Sequence, residues 1–180
     1  MHPTIGISVE LFNDQIINIA SLLIVIVLSK QYGALSFSEF LPRGKDYVVL
    51  SIGLILKFWA FGLIVGTEGL KADPALMALT EFQYGLKLAA LIFTGPLLEE
   101  IILRRYFYEM LDTLYSRETA VIITVSVSAL LHWHPDLSWL QFFWHLSSAL
   151  VFTIAYLMSR LGVSVLLHGF NNFLAVLLSR

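Results

Sequence analysis

The sequence of 180 residues contains no cysteine. Disulfide bonds, thiolate nucleophiles and cysteine-based zinc sites are therefore excluded. Charged residues are scarce, at 13% of the chain, and the formal net charge is only −2. Because the chain has no basic field that would attract phosphate groups, we expect no nucleic-acid partner.

Hydrophobic residues make up 58% of the chain and the mean hydropathy is +0.80, far above the balance of a soluble domain. The apolar runs lack the alternation of barrel strands, so they predict an all-α, polytopic transmembrane helical bundle. We expect a single membrane domain, residues 1–180, embedded in the lipid bilayer of the cell membrane as a multi-pass integral protein. About six spans are predicted, near residues 11–29, 47–67, 82–105, 119–134, 138–159 and 161–179.

Polar side chains inside the spans carry the most information, because each is costly at membrane depth unless it is paired or hydrated. In the stretch LLEEIILRR, Glu100 and Arg104 are four residues apart, so a helix places them one above the other as an ion pair. Successive helical residues turn by about 100°, which leaves Glu99 pointing elsewhere. Glu99 is therefore the carboxylate available as a general base in a hydrolytic site.

The last span repeats this spacing in LLHGFNNFLAVLL, where His168 and Asn172 are four residues apart and share a helix face. Both side chains can donate hydrogen bonds to the oxyanion that forms when water attacks a peptide carbonyl. In SVSALLHWHPD, His132 lies at the end of the fourth span, where it can orient or deprotonate the water. One glutamate, two histidines and one asparagine therefore form a candidate hydrolase site.

Three motifs in this order resemble the CPBP family of intramembrane glutamic proteases, which includes CAAX prenyl endopeptidases and Abi-like proteins of bacteriocin processing or immunity. In chain order, EEIILR fits the EExxxR motif, SALLH aligns with FxxxH, and HGFNN fits HxxxN. In the second motif, Ser128 stands in place of the aromatic residue. The resemblance covers roughly residues 84 to 179. It divides the domain into two N-terminal spans without a signature, residues 1–80, and a catalytic core, residues 81–180.

The resemblance implies an enzyme: a CAAX protease-like endopeptidase that cleaves a membrane-associated protein or peptide with glutamate-activated water. The matching positions are Glu99 and His132 for the water, His168 and Asn172 for the oxyanion, and Glu100 and Arg104 as supporting residues. Neither a cofactor nor a metal is implied. A prenylated C-terminus, a bacteriocin leader and a C-terminal sorting tag all suit such a site, since each offers a scissile bond at membrane depth.

Other interpretations stay open at the level of sequence. A glutamate and two histidines that converge in a membrane cavity also suit zinc, which would make the protein a zinc-dependent membrane protease. The EExxxR stretch can instead be a charge cluster at a helix end, and HxxxN can simply bond two helices together. The protein would then be a non-catalytic bacteriocin-immunity or scaffolding protein. A small transporter with Glu99, Lys57 and the histidines as a proton relay is the last alternative.

Several further residues have a predicted structural role. Lys57 falls near the middle of the second span, where it either pairs with a carboxylate of the LLEE stretch or extends its amine to the membrane surface. Pro96 lacks an N–H and should free a carbonyl and bend the helix just before the carboxylates. Gly169 permits close approach of another backbone or of a substrate. His134 is interpreted as a loop residue and His145 as a residue that forms a hydrogen bond across helices.

The predicted depths of the site residues disagree with one another. Counting along the spans places Glu99 and His168 in the same half of the membrane and His132 toward the opposite side. The residues meet only if the fourth span is short and tilted, or if its predicted boundaries are wrong by several residues. The meeting of Glu99, His132, His168 and Asn172 in one cavity is therefore a test of the whole interpretation.

Overall fold

The computed structural model describes residues 3–68, 79–133, 135 and 138–178, and within these ranges the chain forms helices and turns with no β-strand. The predicted all-α class is therefore confirmed. The N-terminal part consists of α1 (Pro3–Tyr32), a single 3₁₀ turn (Phe37–Glu39) and α2 (Asp46–Glu68).

The EExxxR motif lies in a continuous helical rod formed by residues 81–114, which we name the motif rod. It extends past both ends of the predicted span, 82–105. A capping box between Thr80 and Gln83 starts it. Its segments are α3 (Glu81–Ala89), a first π stretch (Ala90–Thr94), α4 (Gly95–Glu100), a second π stretch (Ile101–Tyr108) and α5 (Glu109–Leu114). Because a π turn contains an extra residue, each π stretch changes the direction in which the following side chains point.

The described chain continues with α6 (Arg117–Leu130), α7 (Trp139–Met158) and α8 (Leu161–Leu178). Ser116 caps α6, and Ser138 caps α7. At 14 residues, α6 is about 21 Å long, whereas a hydrocarbon core is about 30 Å thick. A helix of this length that begins at one membrane surface ends before it reaches the other.

Helix α8 is central, because it packs against α2, α7, α4 and the first π stretch. Val163 and Leu167 of α8 are fully buried in a cluster with Phe152 and Ala155 of α7. A Cβ atom on Gly169 would lie 2.5 Å from the backbone oxygen of Ile92, so this glycine is required for the contact of α8 with the first π stretch. The predicted close backbone approach at Gly169 is therefore confirmed.

The outer surface is apolar, as a membrane protein requires. On α1 and α2, residues such as Leu23, Ile55, Phe58 and Trp59 are more than half exposed. In the described ranges, the helices long and apolar enough to cross a membrane by length and composition are Asp46–Leu63 and Trp139–Met158, and shorter apolar helices are Ile16–Tyr32 and Leu161–Leu177. Fewer helices meet these criteria than the six spans predicted, and α6 is too short to do so.

Candidate active site

A cavity of about 400 Å³ opens between the motif rod, α6, α7 and α8. Glu99, His132, His168 and Asn172 all line it, so the prediction that these four side chains share one cavity is confirmed. The wall also contains apolar side chains, among them Leu91, Leu103, Phe152 and Val176. An apolar pocket with a few convergent polar groups is the usual composition of a ligand or substrate site.

Glu99 occupies the position between the two histidines. Its Oε2 lies 3.8 Å from His168 Nε2 and 3.9 Å from His132 Nε2. These distances are too long for direct hydrogen bonds, but a water molecule about 2.8 Å from each partner fits beside them. The Glu99 side chain is 42% exposed, whereas that of His168 is only 6% exposed. Glu99 is therefore the carboxylate that a water molecule or a substrate can reach.

Glu100 is fully buried and has three partners. Its Oε1 lies 3.0 Å from Arg104 Nη1 and 2.8 Å from His168 Nδ1, and the Ser164 hydroxyl donates to its Oε2. The predicted ion pair is confirmed. The bonds to His168 and Ser164 were not predicted, although Ser164 is four residues before His168 and the spacing places both on one face of α8. Because Glu100 binds Nδ1 of His168, the Nε2 atom is the one that faces Glu99.

Arg104 is as buried as its partner, at 1% exposure. Its Nη2 donates to the backbone oxygen of Ala149 at 3.3 Å, and its guanidinium lies 5.9 Å from the centre of the Phe152 ring. The alternative of an exposed charge cluster at a helix end is therefore wrong for Glu100 and Arg104. It does describe Arg105, which is partly exposed and pairs with Glu109 one turn later.

His132 reaches the cavity because α6 is short. The helix ends at Leu130, and His132 lies in the turn that follows. The predicted span, 119–134, extended too far, so its predicted boundary was wrong by several residues, which is one of the two explanations of the depth problem. His132 Nδ1 donates to the Ser128 carbonyl at 3.0 Å, so its Nε2 points toward Glu99. Ser128 accepts this hydrogen bond with its backbone oxygen. The bond therefore does not depend on the aromatic side chain that the FxxxH motif has at this position.

His145, which was predicted only to form a hydrogen bond across helices, is also a residue of the cavity wall. It lines the cavity, and its ring stacks on His132 with the centroids 4.7 Å apart and the planes 20° apart. The FFWHLSS stretch gave no motif that would have indicated this. His134 lies outside the described residues.

Asn172 is held by a carbonyl that the motif rod sets free. In the first π stretch, the N–H of Gly95 donates to the oxygen of Ala90. With the same spacing, the oxygen of Leu91 would accept a hydrogen bond from the backbone N–H of residue 96. Residue 96 is a proline, which has no N–H, so the Leu91 oxygen lacks this partner. Asn172 Nδ2 donates to this Leu91 oxygen at 2.9 Å. The carbonyl predicted to be freed by Pro96 therefore positions a site residue.

If the site is hydrolytic, as the three motifs imply, Pro96→Ala should lower turnover about fivefold. The new N–H competes with Asn172 for the Leu91 oxygen, and one neutral hydrogen bond is worth about 1 kcal/mol. Initial cleavage rates at saturating substrate measure the effect. Gly62→Ala is the matched control, because a Cβ at Gly62 meets no atom within 4 Å. Full activity of Pro96→Ala would show that Asn172 does not depend on the freed carbonyl.

Lys57 differs from both of its predicted roles. It is 1% exposed, so its amine does not extend to a surface, and none of the ion pairs among the described residues involves it. Instead, it donates a hydrogen bond to Ser148 Oγ, and Ser148 lines the cavity.

These features define a class of protein: an all-helical chain with an apolar exterior, in which a glutamate, two histidines and an asparagine converge on one cavity. The family model of type II CAAX prenyl endopeptidase Rce1-like proteins matches residues 81–174, more than half of the chain. The chain therefore belongs to this family, as the three motifs predicted, and family membership implies a membrane-embedded protease. No curated protein and no solved structure matches the chain. The matched segment includes every predicted site residue and leaves α1 and α2 outside.

Proposed function

We propose that the protein is an intramembrane endopeptidase that hydrolyses a peptide bond with water activated by Glu99. The position of Glu99 carries this proposal: its Oε2 lies 3.8 Å from His168 Nε2 and 3.9 Å from His132 Nε2, in a cavity that Asn172 also lines. This arrangement supplies a base, an orienting histidine and two oxyanion donors on the wall of one cavity.

Water activation uses Glu99 and His132. Because His132 Nδ1–H donates to the Ser128 carbonyl, the lone pair on Nε2 of the neutral ring accepts a hydrogen bond from the water. Glu99 takes the other proton of the water as the water oxygen attacks the carbonyl carbon. Glu99 then gives that proton to the leaving nitrogen as the C–N bond breaks, which restores the carboxylate.

The oxyanion is stabilised by His168 and Asn172. The ionised Glu100 accepts the Nδ1–H of His168, so Nε2 donates to the oxyanion only when the ring is an imidazolium. Asn172 Nδ2 carries two protons, and the bond to Leu91 leaves one of them for the oxyanion. Both donors act where negative charge develops, which is the largest source of rate enhancement in acyl transfer.

The proposed setting is a six-span domain in the cell membrane, with residues 81–180 as the catalytic core and residues 1–80 as two supporting spans. The exposed apolar surface of α1 and α2 supports this arrangement, because such residues face lipid without cost. The buried carboxylate of Glu100 supports it too, since Arg104 and His168 pair with it inside the bundle. The substrate is then a membrane-associated protein or peptide.

Purified protein in detergent, incubated with a panel of peptides, tests the proposed function. The panel contains a prenylated C-terminal peptide, a bacteriocin leader and a C-terminal sorting tag, and mass spectrometry reads the products. We expect at least one peptide to yield two fragments whose masses add up to the substrate plus one water. If the folded protein cleaves none of the peptides, the proposed protease function is wrong and a binding or scaffolding role replaces it.

We expect activity to survive exhaustive chelation, and we expect no stoichiometric zinc in the purified protein. A carboxylate that acts as a base needs no Lewis acid, and within the described residues no three histidine, aspartate or glutamate side chains are grouped as metal ligands. Elemental analysis and cleavage assays after dialysis against a chelator measure both points. One equivalent of zinc, with activity lost on chelation and restored by zinc, would reassign the protein as a metalloprotease.

A further inference from the structure

Lys57 is a buried lysine to which the proposed mechanism assigns no role. It lies on α2, outside the segment that matches the family model, and it is 1% exposed. Its Nζ lies 3.5 Å from the centre of the Trp144 ring and donates to Ser148 Oγ. A lysine at membrane depth is costly and usually marks a functional site, and the aromatic ring offsets only part of that cost.

A chain of hydrogen bonds connects Lys57 to the oxyanion site. Ser148 Oγ lies 3.3 Å from Asn171 Oδ1, and Asn171 Nδ2 donates to Asn172 Oδ1 at 3.3 Å. The single proton of Ser148 has a second acceptor, the Trp144 carbonyl at 2.6 Å. Ser148, Asn171 and Asn172 line the cavity. Lys57 is thus linked to the carboxamide of Asn172 by hydrogen bonds through Ser148 and Asn171.

We propose that Lys57 is a positioning residue that fixes the orientation of the Asn172 carboxamide. Lys57 Nζ donates to Ser148 Oγ, so the hydroxyl keeps its own proton, which the Trp144 carbonyl at 2.6 Å and Asn171 Oδ1 at 3.3 Å share as acceptors. Asn171 therefore presents Oδ1 to Ser148 and Nδ2 to Asn172, and Asn172 presents Oδ1 to Asn171. This order leaves Asn172 Nδ2 for the Leu91 carbonyl and for the oxyanion.

The orientation matters because a carboxamide rotated by about 180° would destabilise the oxyanion that it otherwise stabilises. Asn172 would then point Oδ1 at the developing oxyanion and repel it, whereas Nδ2 attracts it. The inference rests on the proposed function for its kinetic consequence. The orientation of the amide itself is a physical property of the folded chain and is measured without any substrate.

The kinetic test uses Lys57→Met, which keeps the length of the side chain and removes the donor. We expect the turnover number to fall about tenfold and KM to change less than about twofold, because the oxyanion forms only in the transition state. In an Asn172→Ala background, Lys57→Met should cause no further loss, since the group that it positions is gone. The same tenfold loss in both backgrounds would show a general structural role and overturn the proposal.

Ser148→Ala provides a second test if Lys57→Met fails to fold. It removes the link next to Lys57, so it should reproduce the loss in turnover and the coupling to Asn172. Thr124→Val is the matched control, because the Thr124 hydroxyl is buried and makes no hydrogen bond within the described part of the chain. Its turnover should equal that of the wild type.

NMR spectra of protein labelled with ¹⁵N-asparagine in detergent test the orientation without catalysis. The chain has four asparagines, at positions 13, 18, 171 and 172, so the side-chain amide signals are few enough to assign. Lys57→Met and Ser148→Ala should move the signals of Asn171 and Asn172 and leave that of Asn18 in place. Unmoved Asn172 signals would overturn the proposal. A wild-type protein that cleaves no peptide would defeat the proposed function, and these spectra would still decide the role of Lys57.

Discussion

Glu99→Gln should fold like the wild type and lose peptide cleavage by about 10³-fold or more. The substitution keeps the shape of the side chain and removes the base, and a general base typically contributes 10²–10⁴-fold. Folding should be unaffected, because the Glu99 side chain is 42% exposed and its nearest ionisable partners are 3.8 and 3.9 Å away. Single-turnover cleavage measured beside thermal unfolding in detergent reads both quantities.

Glu118→Gln is the matched control for this variant. Glu118 lies in the first turn of α6, is exposed, and does not line the cavity. Both its cleavage rate and its unfolding temperature should equal those of the wild type. Wild-type cleavage by Glu99→Gln would remove Glu99 from the mechanism.

Glu100→Gln should lower the free energy of unfolding by about 3 kcal/mol, because it leaves Arg104 as a buried charge without its partner. The fully buried carboxylate also holds His168 Nδ1 at 2.8 Å and accepts from Ser164, and a neutral amide satisfies fewer of these donors. Cleavage should fall as well, since the His168 ring loses the carboxylate that accepts from its Nδ1 atom and turns Nε2 toward the cavity. Thermal or denaturant unfolding in detergent measures the change in stability.

The double variant Glu100→Gln/Arg104→Met separates loss of the pair from loss of one partner. Removing both charges leaves none unpaired, so the double variant should be more stable than Glu100→Gln alone. A stable but inactive Glu100→Gln, together with an active Glu99→Gln, would reverse the roles of the two glutamates.

Residue spacing was sufficient to predict the centre of the site. A separation of four residues placed Glu100 against Arg104, and His168 beside Asn172, because an α-helix brings such pairs onto one face. The cavity shared with Glu99 and His132 then followed from the cost of burying polar groups separately in lipid. Contacts between distant segments, such as His145 on His132 or Lys57 on Ser148, depend on how the helices pack and have no counterpart in local spacing.

The two π stretches could not be predicted from the sequence pattern. The apolar run predicted one helical span over 82–105 with a bend before the carboxylates, whereas the motif rod changes register between Ala90 and Thr94 and again after Glu100. Pro96 gave a local signal, since its missing N–H frees a carbonyl, but which side chain uses that carbonyl depends on α8. The end of α6 was likewise predicted too late, because the apolar residues continue past Leu130 into the turn that carries His132.

The central claim is that Glu99 and His132 act on the same water molecule, and the single-turnover rate of the double variant Glu99→Gln/His132→Ala tests it most directly. Residues that act as one unit show strongly non-additive losses. We predict that the double variant cleaves no more slowly than Glu99→Gln alone, because the water is already without its base. A double variant whose loss equals the product of the two single losses would contradict the claim and place His132 in a separate task.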